Sequence, residues 1–186
     1  MSTFPVDSDT IGDLKPLNQV VLSLGSNMGD SLDILQGAVD LLSETPNLIL
    51  VDLSAVYLTA PVGDLDQPDF YNLVVLGESI LEPFVLLERC QAIERAFDRE
   101  RIPSRPKGPR TLDIDLITVG SRTSQTEQLT LPHPRAHERA FVLVPWLDVE
   151  PTAQLPEGTV TDLISGMDTS GVRRLDVGLV KPGAGA

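Results

Sequence analysis

Asp113 and Asp115 stand two residues apart, with Leu112, Ile114 and Leu116 interleaved. In an extended strand that spacing sends both carboxylates from one face and the three apolar side chains from the other. Two hard oxygen donors side by side suit one or two Mg²⁺ ions, which combine carboxylates with water and substrate phosphates rather than an all-protein cage. A bare pair of acids also serves simply to solvate a strand, so its surroundings decide the matter. Here seven of the 14 basic residues, Arg89, Arg95, Arg99, Arg101, Arg105, Lys107 and Arg110, fall within the 22 positions 89–110 just before the pair. Phosphate-binding and metal-binding charge therefore converge on one place.

Other residues carry weaker signals. Gly25, Ser26, Asn27, Met28 and Gly29 form a Gly-bounded turn between a strand and a helix, where backbone amides can cradle phosphate. The P-loop lysine is missing, and ordinary turn chemistry accounts for the stretch. His133 and His137 are four apart, a zinc spacing, but Pro134 intervenes and neither a metalloprotease glutamate nor a third ligand is evident. Beside Arg135 and Arg139 they read as neutral donors to a phosphate or as surface groups. Phe70, Phe141 and Trp146 sit next to polar residues, where a flat heterocycle could stack, although a strand phenylalanine is ordinarily core. Asn72 shares a face with Phe70, and a carboxamide offers donor and acceptor together to a heterocycle's edge.

The elements that must position these groups follow from apolar spacing. Val20 to Leu24 reads as a buried strand, and Asp30 caps a helix carrying Leu32, Leu35, Val39 and Leu42 up to Pro46. Leu48 to Tyr57 and Phe70 to Leu76 read as strands around a loop rich in Pro, Gly and Asp. Pro83 opens a second helix with Leu86, Cys90, Ile93 and Phe97 on its seam and Leu87, Gln91, Glu94 and Asp98 on the adjacent row. The Arg99 to Arg110 segment breaks that helix as a mobile loop, and Thr111 to Val119 resumes strand character. A helical turn at 135 to 139 and an apolar segment from Phe141 to Leu147 follow. The order βαββαβ predicts an α+β fold: a ferredoxin-like antiparallel sheet with helices packed on one face.

The 186 residues, 41% hydrophobic, suffice for one core, predicted over 19–170 between an acidic, disordered tail at 1–18 and a loosely ordered tail at 171–186. A formal charge of −13 argues against nucleic acid or an anionic membrane as the partner. A single cysteine excludes an intrachain disulfide, and no secretory or membrane-spanning run is apparent, which predicts a cytoplasmic protein.

Four blocks in order, LSLGSNMGD at 22–30, TAPVGDLDQPDFYN at 59–72, GPRTLDIDL at 108–116 and LPHPRAHERAFVL at 131–143, resemble 6-hydroxymethyl-7,8-dihydropterin pyrophosphokinase. The resemblance implies an ATP-dependent diphosphotransferase of folate biosynthesis that yields AMP and the pterin pyrophosphate. It implies that Asp113 and Asp115 bind two Mg²⁺ ions, and that Arg99 and Arg110 join them in catalysis. Gln91, Glu94, Arg99, Arg110, Leu116, His133 and Arg139 fall where the family contacts ATP, and Thr59, Pro61, Val62, Phe70, Asn72 and Phe141 where it holds the pterin. Pro106 and Lys107 depart from the family pattern, in which a basic and then an aromatic residue commonly precede Gly-Pro-Arg. Altered closure of the loop with retained chemistry is the expectation. The competing reading is a non-catalytic nucleotide- or pterin-sensing module of the same fold. A monomer is expected, with only small-molecule substrates as partners.

Overall fold

A computed structural model describes residues 15–100 and 103–183. The first helix, α1 (Ser31–Ser43), follows β1 (Asn18–Ser26) and starts where the Asp30 side chain accepts from the Asp33 N–H. Its buried Leu35, Ala38, Val39 and Leu42 recur at one helical face. The second, α2 (Pro83–Ala96), begins on its proline, whose missing N–H costs nothing there, and buries Leu86, Cys90 and Ile93. Between them lie β2 (Leu48–Leu53), β3 (Tyr57–Thr59) and β4 (Phe70–Ser79), and β5 (Asp113–Val119) follows the loop after α2.

The central sheet runs β10 (Val172–Arg174), β3, β4, β1, β5, with β2 also paired to β4, and every pairing is antiparallel. The α+β expectation stands, with two corrections. The stretch 48–57 is not one strand but two. At its break the Ser54 N–H donates to the Val74 carbonyl, while the Val74 N–H donates to the Ser54 hydroxyl at 2.9 Å, so a side chain replaces a ladder carbonyl.

Helices also cover both faces rather than one. On the first face, α1 and α2 pack over Leu22, Leu24, Leu73, Val75, Ile114 and Leu116. On the second, α3 (Ala140–Val149) and α4 (Val160–Ser165) cover Val21, Val74, Leu76 and Ile117 with Val142, Leu143, Trp146 and Val160. A register shift between Val21 and Leu22 leaves Ile117 as an extra residue in β5 and lets it join the second face. Two small hairpins, β6 (Ser124–Gln125) with β7 (Thr130–Leu131) and β8 (Gln154–Leu155) with β9 (Gly158–Thr159), complete the connections.

The expected tail at 171–186 contributes to the fold in its described part. There β10 (Val172–Arg174) extends the sheet beside β3, Leu179 packs against the first core, and Val180 exchanges two hydrogen bonds with the Gln36 side chain. The expected tail at 1–18 lies outside the described residues up to 14. No helix among the described residues is long and apolar enough to cross a membrane.

Candidate active site

The second face of the sheet is covered by α3 only at one end. At the other, a cleft of about 370 Å³ opens over Ser23, Gly25, Asn72, Phe70, Asp113 and Asp115, and Thr59, Ala60, Val62, Lys107 and Arg110 form part of its wall. Arg135, Glu138, Arg139, Ala140 and Phe141 enter from the 3₁₀ turn Ala136–Glu138 and the start of α3. Asp168, Gly171 and Val172 close the remaining side.

Strand pairing sets the floor. Gly25 of β1 lies opposite Asn72 of β4 on one side and Asp113 of β5 on the other, and Ser23 lies opposite Val74 and Asp115. The two carboxylates do share a face, as their spacing predicts, and each meets cations. Asp113 forms an ion pair with Arg99 at 2.5 Å and accepts from Arg110 at 2.7 Å. Asp115 accepts from Arg139 at 2.6 Å, with His133 Nε2 at 3.7 Å. His133 Nδ1 accepts from the Arg135 N–H, so a neutral ring directs its Nε2–H toward Asp115. Burial pushes the His133 imidazole below its ordinary value; Asp115 pulls it up and Arg139 pushes it further down.

The donor set fits Mg²⁺. Two carboxylates adjoin on one strand face, and among the described residues no group of three or more His, Cys, Asp or Glu side chains is arranged to hold an ion. Substrate phosphates and water would have to fill the remaining positions, as this ion prefers.

At the far side of Gly25, Asn72 is 3% exposed, and its Nδ2 donates to Thr59 Oγ1 at 2.7 Å. The Arg110 guanidinium lies 5.8 Å from the Phe70 ring centroid and that of Arg139 lies 5.5 Å from the Phe141 centroid, so each ring is tied to a cation that also holds an aspartate. The turn after β1 fastens the surrounding loops. Asn27 accepts from the Arg110 N–H and donates to Gln67 Oε1 and the Pro68 carbonyl, each at 2.9 Å. Arg105 meets Asp64 at 2.8 Å and the Gln67 side chain donates to the Lys107 carbonyl, so the loop before β4 and the loop before β5 lean on each other.

Not every expected residue opens onto the cleft. Leu116 is buried in the first core, on the face opposite to Asp115. Glu94, 5% exposed, accepts from the Ile114 N–H at 2.8 Å and pairs with Arg99, so it braces the edge strand that carries both aspartates. Gln91 is half-buried on α2, and Pro61 adjoins the wall residue Val62. Trp146 is 2% exposed, donates to Glu150 and belongs to the second core, so it offers no stacking surface. His137 faces Glu138 and Glu157 instead of His133's partners. Sequence reasoning read Gly25 only as turn chemistry and passed over Ser23, Asp168, Gly171 and Val172. The register of β1 could have pointed to the first two, whereas nothing in the spacing of the last three signals a wall.

Residues 21–151 match the family model described as 7,8-dihydro-6-hydroxymethylpterin-pyrophosphokinase. The chain is 41% identical over 160 residues to a Methylorubrum extorquens protein named 2-amino-4-hydroxy-6-hydroxymethyldihydropteridine pyrophosphokinase, covering 86% of this chain and all of that one. It is 35% identical over 160 residues to the protein of the same name from Pseudomonas aeruginosa, with 86% and 98% covered. A Plasmodium falciparum HPPK-DHPS crystal structure shares the fold at a TM-score of 0.66 and 15% identity; the alignment covers 89% of this chain but only 48% of that longer one.

Proposed function

The chain belongs to the 7,8-dihydro-6-hydroxymethylpterin-pyrophosphokinase family, and from that premise we propose that its cleft carries pyrophosphate from ATP to 6-hydroxymethyl-7,8-dihydropterin, a step of folate biosynthesis. One observation carries the reading. A carboxylate pair gripped by Arg99, Arg110 and Arg139 shares a floor with a carboxamide and two phenylalanines.

In this reading Phe70 and Phe141 sandwich the pterin, Asn72 and Thr59 bond its edge, and Pro61 and Val62 close over it. The hydroxymethyl oxygen attacks the β-phosphorus. A new O–P bond forms, the bond from that phosphorus to the α,β-bridging oxygen breaks, AMP departs with that oxygen, and the hydroxyl proton passes to solvent. Two Mg²⁺ ions on Asp113 and Asp115 would neutralise the triphosphate's charge. Arg99, Arg110 and Arg139 exchange their aspartate partners for phosphate oxygens, and His133, neutral through burial, donates without adding charge. Gln91 completes the nucleotide end, Glu94 serves it by holding Arg99 and the Ile114 N–H in place, and Leu116, buried on the opposite face, offers it only backbone. Positioning dominates, because a metal-bound aspartate is a weak base. Lys107 lines the cleft where the family pattern has an aromatic residue, and it supplies a mobile point charge to a lid formed by the Arg99 to Arg110 loop, of which 101–102 lie outside the described residues.

The strand order supports a ferredoxin-like core whose second strand is split into β2 and β3. We further assign the 19–170 core, together with the β10 segment that follows it and walls the cleft, to one catalytic domain, a monomer working in the cytoplasm. The test is direct: with Mg²⁺, ATP and the pterin, the protein should release AMP and pterin pyrophosphate. Release of ADP would overturn the assignment. Asp115→Ala should abolish turnover while circular dichroism shows an intact fold, and full activity in that variant would remove the metal site from 113 and 115.

A further inference from the structure

We propose that Gly25 is a specificity-determining residue: its bare Cα is the floor between the carboxamide of Asn72 and the carboxylate of Asp113, and a side chain there would exclude the pterin by displacing Asn72. This rests on the reading of the site given above. Gly25 occupies the middle strand of the row Asn72, Gly25, Asp113, so an acceptor bound at one end and a phosphate donor bound at the other must meet above it.

The glycine is not explained by its backbone. Gly25 lies outside the left-handed region, unlike Gly29 in the turn that follows. A glycine inside a strand weakens it, since it gives up side-chain packing and costs more entropy to order. What the position needs is space. A Cβ built there would stand 3.0 Å from Asn72 Oδ1 and 3.9 Å from Phe70 Cδ1. The carboxamide cannot easily yield, because it is buried and its Nδ2 is held by Thr59 Oγ1 at 2.7 Å and the Phe70 carbonyl at 3.3 Å. Shifting Oδ1 by even a few tenths of an ångström would misplace the group that reads the heterocycle's edge, while the arginines around Asp113 and Asp115 stay where they are.

Gly77, the other glycine of the paired central strands, provides the control. Its Cβ would press on the Ile49 carbonyl and Leu48 at 3.1 Å, under α1 and α2 and away from the cleft. The experiment measures binding of the pterin in the presence of an unreactive ATP analogue, binding of the analogue itself, and KM and kcat for AMP release. Gly25→Ala should weaken pterin binding by about tenfold or more, with analogue affinity kept within about twofold. In an Asn72→Ser background, where no oxygen occupies the contested place, adding Gly25→Ala should cost less than about twofold. Gly77→Ala should lower the melting temperature without changing the ratio of the two affinities. Native pterin binding in Gly25→Ala, equal loss of both ligands, or full additivity with Asn72→Ser would each overturn the proposal. Failure of the underlying reading looks different, for the native protein would then form no AMP.

Discussion

One face of one sheet serves as hydrophobic core at one end and as reaction site at the other. At the covered end Val21 lies opposite Leu76 with the bulged Ile117 beside them, all at most 5% exposed beneath α3. One pleat further the row becomes Ser23, Val74 and Asp115, and at the open end it is Gly25, Asn72 and Asp113. The backbone is continuous throughout; only the side chains and the cover change. Apolar groups gain from the cover, whereas carboxylates need water or cations, so the point where α3 begins is where charge becomes affordable. Arg139 and Phe141, at that beginning, serve the open end, and Val142, Leu143 and Trp146 serve the covered end.

If the two ends are separable, a substitution at either should leave the other largely intact. Asp113→Ala should have the largest effect, cutting the rate of AMP release by at least about a thousandfold. Thermal unfolding should change little, since Arg99 keeps its pairing with Glu94 and Arg110 its bond to the Gly108 carbonyl; a collapse in stability would break the comparison. Leu143→Ala, at a fully buried position, should lose about 2–5 kcal/mol of stability, read from denaturant unfolding. The protein remaining folded should still bind an ATP analogue. Phe70→Ala should raise the KM for the pterin by about five- to tenfold through lost stacking, with the KM for ATP unchanged. An equal rise in both would show that the ring supports Arg110 rather than the heterocycle.

The smallest effects concern groups away from the cleft. Burial, with help from the Glu94 and Asp115 carboxylates, pushes the Cys90 thiol up to about 12, and burial together with the Asp148 hydrogen bond raises Tyr57 to about 12. Both pKa values are raised on folding, so the stability they contribute is complete below the unfolded values and is lost as pH climbs toward 12. Thiol reagents at pH 8 should leave native Cys90 unmodified. Stability should be flat near neutrality and fall above about pH 9 to 10. Rapid labelling of the folded protein at pH 8 would show that α2 opens readily.

Much of this was legible in the chain. The cap at Asp30, the proline at Pro83 and the alternation around Asp113 each act through neighbours within four residues, and each element appeared where such local rules put it. The break at Ser54 was hidden because it depends on Val74, 20 residues away. Glu94 looked like a neighbour of Gln91 on one helical row, yet its carboxylate is spent on the edge of β5. The wall built by Asp168, Gly171 and Val172 arises only because β10 lies against β3, with Val172 opposite Thr59.

The sequence by itself determined which side chains alternate, where helices start, and that acids and cations gather near residue 113, because these follow from covalent spacing and local hydrogen bonding. Tertiary structure alone decided which of the sheet's two faces would be left partly uncovered, which arginine meets which aspartate, and that a glycine separates Asn72 from Asp113. Those outcomes depend on the register between strands distant in sequence, and register is set by the packing of the whole sheet against its helices.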